Sequence, residues 1–332
     1  MVDYFYSSAR VRALETGLLS RESYARLLES PTVQAAYAIL SELGYTCNTD
    51  ADGNCLREEM LLNRLKSAYG EIASLTEDAD TPVFALWRYP YDCNNLKASI
   101  KCFIRQIPCG SMLFDFGTVS AEEVEHAVQA NDFSAFPKHM AEAAQEALSA
   151  YAKTQNPQQI DLLMDRACYR DMLAAAEESK VEYAVTLVKT KIDLLNLVTC
   201  IRVLRMHAGE AGRMLLQDAL LDGGTLPKSF IEDLFQKEER QIWEQLLYTD
   251  YKSFAERITS KEPTLTEVEC AADDAWMSKI REARWISCGA EVLIGYLCGV
   301  ESEVRNLRVL LAGKAAGLAG ETVWERIREG YV

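Results

Sequence analysis

Residues 301–314 read ESEVRNLRVLLAGK and follow without a break from the apolar run AEVLIGYLCGV at 290–300. Glu303, Asn306 and Leu307 stand at i, i+3 and i+4, so on a helix they share one face. The same acid-x-x-Asn-Leu pattern occurs twice more. Asp92, Asn95 and Leu96 lie in YDCNNLKASIKCFIR at 91–105, and Asp193, Asn196 and Leu197 lie in KIDLLNLVTCIRVLR at 191–205. The asparagines are 101 residues apart (95 to 196) and 110 apart (196 to 306).

The regions around the three patterns repeat as well. GTVSAEEVEHAV begins at Gly117, GTLPKSFIEDLF at Gly224 and a looser GETVWERI at Gly320. Each pattern is preceded by another amphipathic stretch: SYARLLESPTVQAAYAIL, QIDLLMDRACYRDMLAAA and TEVECAADDAWMSKIREA. The order and near-equal spacing predict three copies of a helical module, over residues 1–135, 136–245 and 246–332. Three long copies do not suit a solenoid built of repeats of about 20–50 residues. They suit a closed, pseudo-threefold ring.

Local signals point to helix throughout. With 17 Gly and 8 Pro in 332 residues, breakers are sparse. Ser30-Pro31 and Thr81-Pro82 read as an N-cap followed by Pro at the first helical position, Pro90 as the start of the helix carrying Asp92, and Ser120 with Glu123 as a capping box. No stretch alternates apolar and polar residues convincingly, so the expected class is all-α.

Composition narrows the function. Net charge is −15, a poor match to nucleic acid or anionic headgroups and a better one to a basic protein partner. No run approaches the ~20 apolar residues of a membrane span, and MVDYFYSSARVR lacks the apolar core of a signal peptide. Ten scattered cysteines without a C-x-x-C read as reduced thiols of a cytoplasmic protein.

Catalytic motifs fail on inspection. Gly313-Lys314 lacks the leading Gly of a P-loop, where Arg308 stands, and is followed by Ala315 instead of Ser or Thr. Glu123-x-x-His126 is a single half of a di-metal pair, since neither His139 nor His207 has Glu three residues earlier. DADGN at 50–54 lacks the later ligands of a calcium loop. No cofactor or metal is expected.

The chain resembles the C/AC39 family of the bacterial and archaeal V/A-type rotary ATPases, whose eukaryotic members are called the d type. The resemblance rests on YFYSSARVRALETGLLSRESYARLLES near the start, on YDCNNLKASIK, and on IGYLCGVESEVRNLRVLLAGKAAGL, and runs over nearly the whole chain. Pro90 before Tyr91 and the polar stretch 46–56 depart from the family pattern. The resemblance implies an all-helical funnel of three modules around a central polar cavity, with no active site of its own. It implies a peripheral position on the cytoplasmic face of the membrane. The partners would be the central-shaft subunits and the membrane rotor ring. A freely soluble helical scaffold that recruits other proteins is the alternative.

For Asp92, Asn95, Asp193, Asn196, Glu303 and Asn306 two readings stand. They hold each module together by buried hydrogen bonds, or they line the socket for the shaft. Of the basic residues that follow on the same helices, Lys97, Arg105, Arg202, Arg308 and Lys314 are the candidate socket contacts. A solvated face or helix C-terminal charges are the other reading.

Overall fold

A computed structural model describes residues 4–50, 53, 55–76, 81–206, 209–258 and 262–332. Among these the chain is all-α, with no strand and only an isolated antiparallel bridge between Thr49 and Cys55. The helices in chain order are α1 (Phe5–Glu15), α2 (Arg21–Glu29), α3 (Val33–Glu42), α4 (Arg57–Leu75), α5 (Thr81–Ala85), α6 (Tyr89–Arg105), α7 (Ala121–Ala130), α8 (Lys138–Thr154), α9 (Pro157–Ser179), α10 (Glu182–Met206), α11 (Glu210–Ala219), α12 (Lys228–Phe235), α13 (Glu239–Leu246), α14 (Lys252–Glu256), α15 (Leu265–Ile280), α16 (Ala290–Ala315) and α17 (Gly320–Trp324). They form two compact units: residues 1–78 with 240–332, and residues 79–239.

In the unit of residues 79–239, α8 and α9 make a hairpin. Its link is only Gln155 and Asn156. Gln155 takes left-handed backbone (φ 54°), the Asn156 side chain accepts from Gln158 N, and Pro157 opens α9. Each of these is a local stop or start signal. No side chain of its own caps α8. Instead Asp171 reaches over from α9 and accepts from the backbone N–H of His139 (3.0 Å) and Met140 (2.8 Å). A carboxylate there meets the positive end of the helix. Helices α6 and α10 pack against α9 as well, and α10 buries residues on several sides because several helices cover it.

In the other unit α16 is the central helix, packed by α1, α3 and α4. The chain's last residues are held by a cluster of charges at the ends of α14 and α15. Glu329 holds Arg257 and Arg281, each at 2.6 Å, and Arg281 also donates to Gly330 O.

Several boundary expectations hold. Pro90 sits in the first turn of α6, and Ser120 and Glu123 form the reciprocal capping box that opens α7. Ser30 is a correction. Its hydroxyl donates to Leu27 O (2.7 Å) and closes α2, and Thr32 caps α3 by accepting from Ala35 N. Thr81 lies inside α5, which starts there. A second correction concerns the thiols. Cys47 and Cys55 form a disulfide, and the remaining eight cysteines form none. Spacing alone gave no hint of that pair, because the pairing of Thr49 with Cys55 is what brings the two chain segments together. The calcium-loop reading of DADGN falls largely outside the described residues, as does His207.

Burial on its own would raise the Glu329 carboxyl, but the hydrogen bond and charge of Arg257, with Arg281, outweigh it and hold it below the usual glutamate range. A folded-state value below the unfolded one stabilises the fold above about pH 4.3, and this is lost as pH falls through the folded value. Glu329→Gln is therefore expected to be less stable than wild type near neutrality and to lose less stability on acidification. Thermal melts from pH 7 to pH 3 check this, and parallel pH profiles for the two proteins would contradict it.

Candidate functional site

The three acid-x-x-Asn helices are α6, α10 and α16. Their acids and asparagines are all buried, with Asp92, Asn95, Asp193 and Asn306 at zero exposure. Each asparagine grips both polar backbone groups of one residue further along the chain. Asn95 donates from Nδ2 to Phe114 O (2.8 Å) and accepts at Oδ1 from Phe114 N (2.9 Å). Asn196 does the same to Leu221 (3.1 and 2.8 Å), and Asn306 to Arg328 (2.9 and 2.9 Å). A primary amide carries a donor and an acceptor side by side, so it pairs with a backbone residue as a neighbouring strand would. Aspartate or leucine at the position satisfies one of those groups or neither.

The acid one turn earlier takes the next piece of the same loop. Asp92 accepts from Thr118 N (3.0 Å), Thr118 Oγ1 (2.7 Å) and Val119 N (3.1 Å). Asp193 accepts from Thr225 N (2.8 Å) and Leu226 N (3.1 Å). This explains the Gly-Thr pair that recurs in the sequence. A Cβ on Gly117 would fall inside the contact radius of Asp92 Oδ1, and one on Gly224 inside that of Asp193 Oδ1. Only glycine lets the loop come close enough for its next two N–H groups to reach the carboxylate. Arg88 adds hydrogen bonds to Phe116 O (2.8 Å) and Gly117 O in the first copy. Burial pushes the Asp92 carboxyl above the ordinary aspartate value, while the three donated hydrogen bonds oppose the rise.

The third copy differs. Glu303 is one methylene longer, and its carboxylate meets the N-terminal segment. It accepts from Leu19 N (2.6 Å), Tyr45 Oη (2.5 Å) and Arg64 Nε (3.0 Å). Gly320 meets only Leu28, at ordinary contact distance. Burial and then the Glu303 charge push the Tyr45 hydroxyl well up. Burial works against the Arg64 cation, but the Glu303 charge outweighs it and holds the guanidinium above its usual value. The result is a buried ion pair joining α16 to α4, with a protonated tyrosine as third member.

The basic candidates are more dispersed. Lys97 pairs with Asp165 (2.6 Å) and Lys101 with Asp161 (2.5 Å), both on α9. Arg105 and Arg202 are exposed. Arg205 makes a two-pronged pair with Glu239 (2.9 and 2.5 Å). Arg308 meets Glu58 (2.9 Å). Lys314 donates to Leu28 O (2.9 Å) and Ser30 O (2.6 Å), and burial lowers its pKa. It also lines a pocket of about 560 Å³ with Tyr37, Cys47 and Cys55. Of the two arginines of SSARVR, Arg10 faces Glu71 of α4 at 3.8 Å, and Arg12 holds Glu15 and the carbonyls of Ala283 and Ile286.

Seven of the eleven candidates lie in the unit of residues 79–239, and Glu303, Asn306, Arg308 and Lys314 lie in the other. The sequence pattern found the helices but not what their acids and amides hold. The signal was present in the pairing of each Asp-x-x-Asn with a downstream Gly-Thr. Gly313-Lys314 sits within α16, where a helical backbone offers no phosphate cradle, and Glu123 is spent on its capping box. Among the described residues no three His, Cys, Asp or Glu side chains gather as a metal site, and no helix is long and apolar enough to cross a membrane.

Residues 7–326 match the family described as ATP synthase (C/AC39) subunit, and the chain belongs to that family. It is 23% identical over 339 residues to the C subunit of the V-type sodium ATPase of Enterococcus hirae, covering 99% of both chains. It is 24% identical to the C subunit of the A-type ATP synthase of Methanococcoides burtonii, covering 97% of this chain and 93% of that one. The corresponding A-type ATP synthase protein of Thermococcus kodakarensis is also 24% identical, over 98% and 90%.

Removing an asparagine amide strands a buried N–H and C=O at once, each costing about 1–3 kcal/mol. Asn196→Ala is expected to destabilise the protein by roughly 2–4 kcal/mol, and Asn196→Asp, which keeps the acceptor, by less. Gly224→Ala is expected to fall in the same range, because Asp193 must give up its loop. Urea unfolding measures all three; a loss under about 0.5 kcal/mol for Asn196→Ala, the size of an ordinary surface change, would contradict the clamp.

Proposed function

We propose that this member of the ATP synthase (C/AC39) subunit family is a non-catalytic part of the central stalk of a V/A-type rotary ATPase. In this reading it receives the foot of the rotor shaft and passes torque to the membrane rotor ring. The recurrence of one asparagine clamp on α6, α10 and α16 carries the reading: the same helix-and-loop device is built three times in a family of rotary-motor subunits. Three modules, over 1–135, 136–245 and 246–332, would then surround a polar cavity as a pseudo-threefold funnel.

The eleven candidate residues take two parts in it. Asp92, Asn95, Asp193, Asn196, Glu303 and Asn306 keep the socket helices and their loops in place from within. Arg105 and Arg202, both exposed, would meet acidic groups of the shaft, while Lys97, Arg308 and Lys314 hold Asp165, Glu58 and the Leu28 and Ser30 carbonyls. The net charge of −15 favours a partner surface that is basic overall. The protein is peripheral, on the cytoplasmic face, and reaches the membrane through the ring.

The test is size-exclusion chromatography with light scattering of this chain and purified central-shaft subunits. A one-to-one complex that weakens as salt rises from about 50 to about 500 mM is expected. Arg105→Glu with Arg202→Glu, at two exposed positions, is expected to weaken the complex about tenfold while leaving the melting temperature within about 2 °C. Failure to bind the shaft, together with failure to retain the rotor ring in a pull-down, would overturn the reading and leave the scaffold alternative.

A further inference from the structure

We propose that Cys102, Cys109 and Met112 form a three-sulfur site for one thiophilic cation, monovalent copper. Cys102 lies in the last turns of α6, and Cys109 stands in the loop that follows. Met112 closes a 3₁₀ turn over Gly110–Met112, in which Met112 N donates to Cys109 O (3.0 Å) and sets the two residues side by side. The Cys102 Sγ lies 3.9 Å from Met112 Sδ, and Cys109 lines the same cavity as Cys102. A trigonal ion with metal–sulfur bonds of about 2.3 Å places its sulfurs about 4 Å apart. The Cys102–Met112 pair already holds that spacing.

Donor type selects the ion. Two thiolates and a thioether are soft ligands that favour monovalent copper over magnesium or calcium, and three sulfurs fall short of the four ligands of a closed zinc site. The entry path is a cavity of about 590 Å³ lined by Cys102, Cys109, Phe103, Ile107 and Glu125, and Met112 is itself exposed. The other close cysteine pairs suit an ion less well. Cys47 and Cys55 are joined, and Cys93 and Cys168 are buried, with the Cys93 thiol bonded toward Met164 O.

Binding forms two copper–thiolate bonds and one copper–thioether bond and releases two protons to solvent, with no change of oxidation state. Both thiols must lose a proton to bind, so copper competes with protons and apparent affinity rises with pH. The loop from Cys109 to Met112 leads directly into Phe114, the residue gripped by Asn95, so a bound ion would tie down the approach to the first clamp.

The probe is monovalent copper held by the chromogenic chelator bicinchoninate, titrated anaerobically with the full chain, its Cys47–Cys55 disulfide left intact. Wild type is expected to withdraw one equivalent, more readily at about pH 8 than at about pH 6.5. Cys109→Ser is expected to withdraw none. Met112→Leu, which alters only an exposed side chain, is expected to bind at least about tenfold more weakly. Cys93→Ser is expected to match wild type. Far-UV circular dichroism checks that each variant is folded. An untouched chelator complex with wild type would overturn the proposal, and so would a full equivalent withdrawn by folded Cys109→Ser.

Discussion

A side-chain amide pairing with both polar groups of one loop residue is the contact on which the helix-and-loop elements of α6, α10 and α16 depend. Buried N–H and C=O groups need partners, and Phe114, Leu221 and Arg328 lie in irregular segments after α6, α11 and α17, outside any helix. The asparagines supply them instead, and so fix where each loop lies on its helix. In the first copy the gripped stretch runs straight into the capping box of α7, and in the second into Pro227 and α12. Placing the loop therefore places the next helix.

The acids show how one residue changes the wiring. Aspartate is short enough to stay with the loop beside its own helix, at the cost of requiring glycine there. Glutamate in the third copy reaches away to Leu19, Tyr45 and Arg64, which joins the start of the chain to α16. A buried ion pair of this kind is poor evidence of stability in itself, because desolvation offsets much of the attraction. Its effect is to specify which segment packs where. That effect fits a unit assembled from both ends of the chain, residues 1–78 and 240–332.

Much of this was legible from short-range signals. Sparse breakers, the capping box at Ser120 and the proline at residue 90 mark helices through φ restriction and orphan N–H groups, and these act over one turn. The threefold asparagine spacing was legible because one device was written three times. What stayed hidden depends on contacts between distant residues. Nothing near Glu303 announces Tyr45 or Arg64, 258 and 239 residues away. Ser30 and Thr32 compete for one cap, and the preceding helix takes Ser30 for its own last turn. Asp171 caps α8 from another helix, a service invisible at Pro137 itself.

Hydrogen exchange at the gripped amides tests the central claim most directly. Phe114, Leu221 and Arg328 lie in loops, where amides ordinarily exchange within seconds to minutes near neutrality unless a hydrogen bond holds them. If the clamps fix these loops, all three should exchange as slowly as the helical amides of α6, α10 and α16 beside them. Exchange at the rate of open loops, with the helices still protected, would show that the asparagines merely touch loops held by something else.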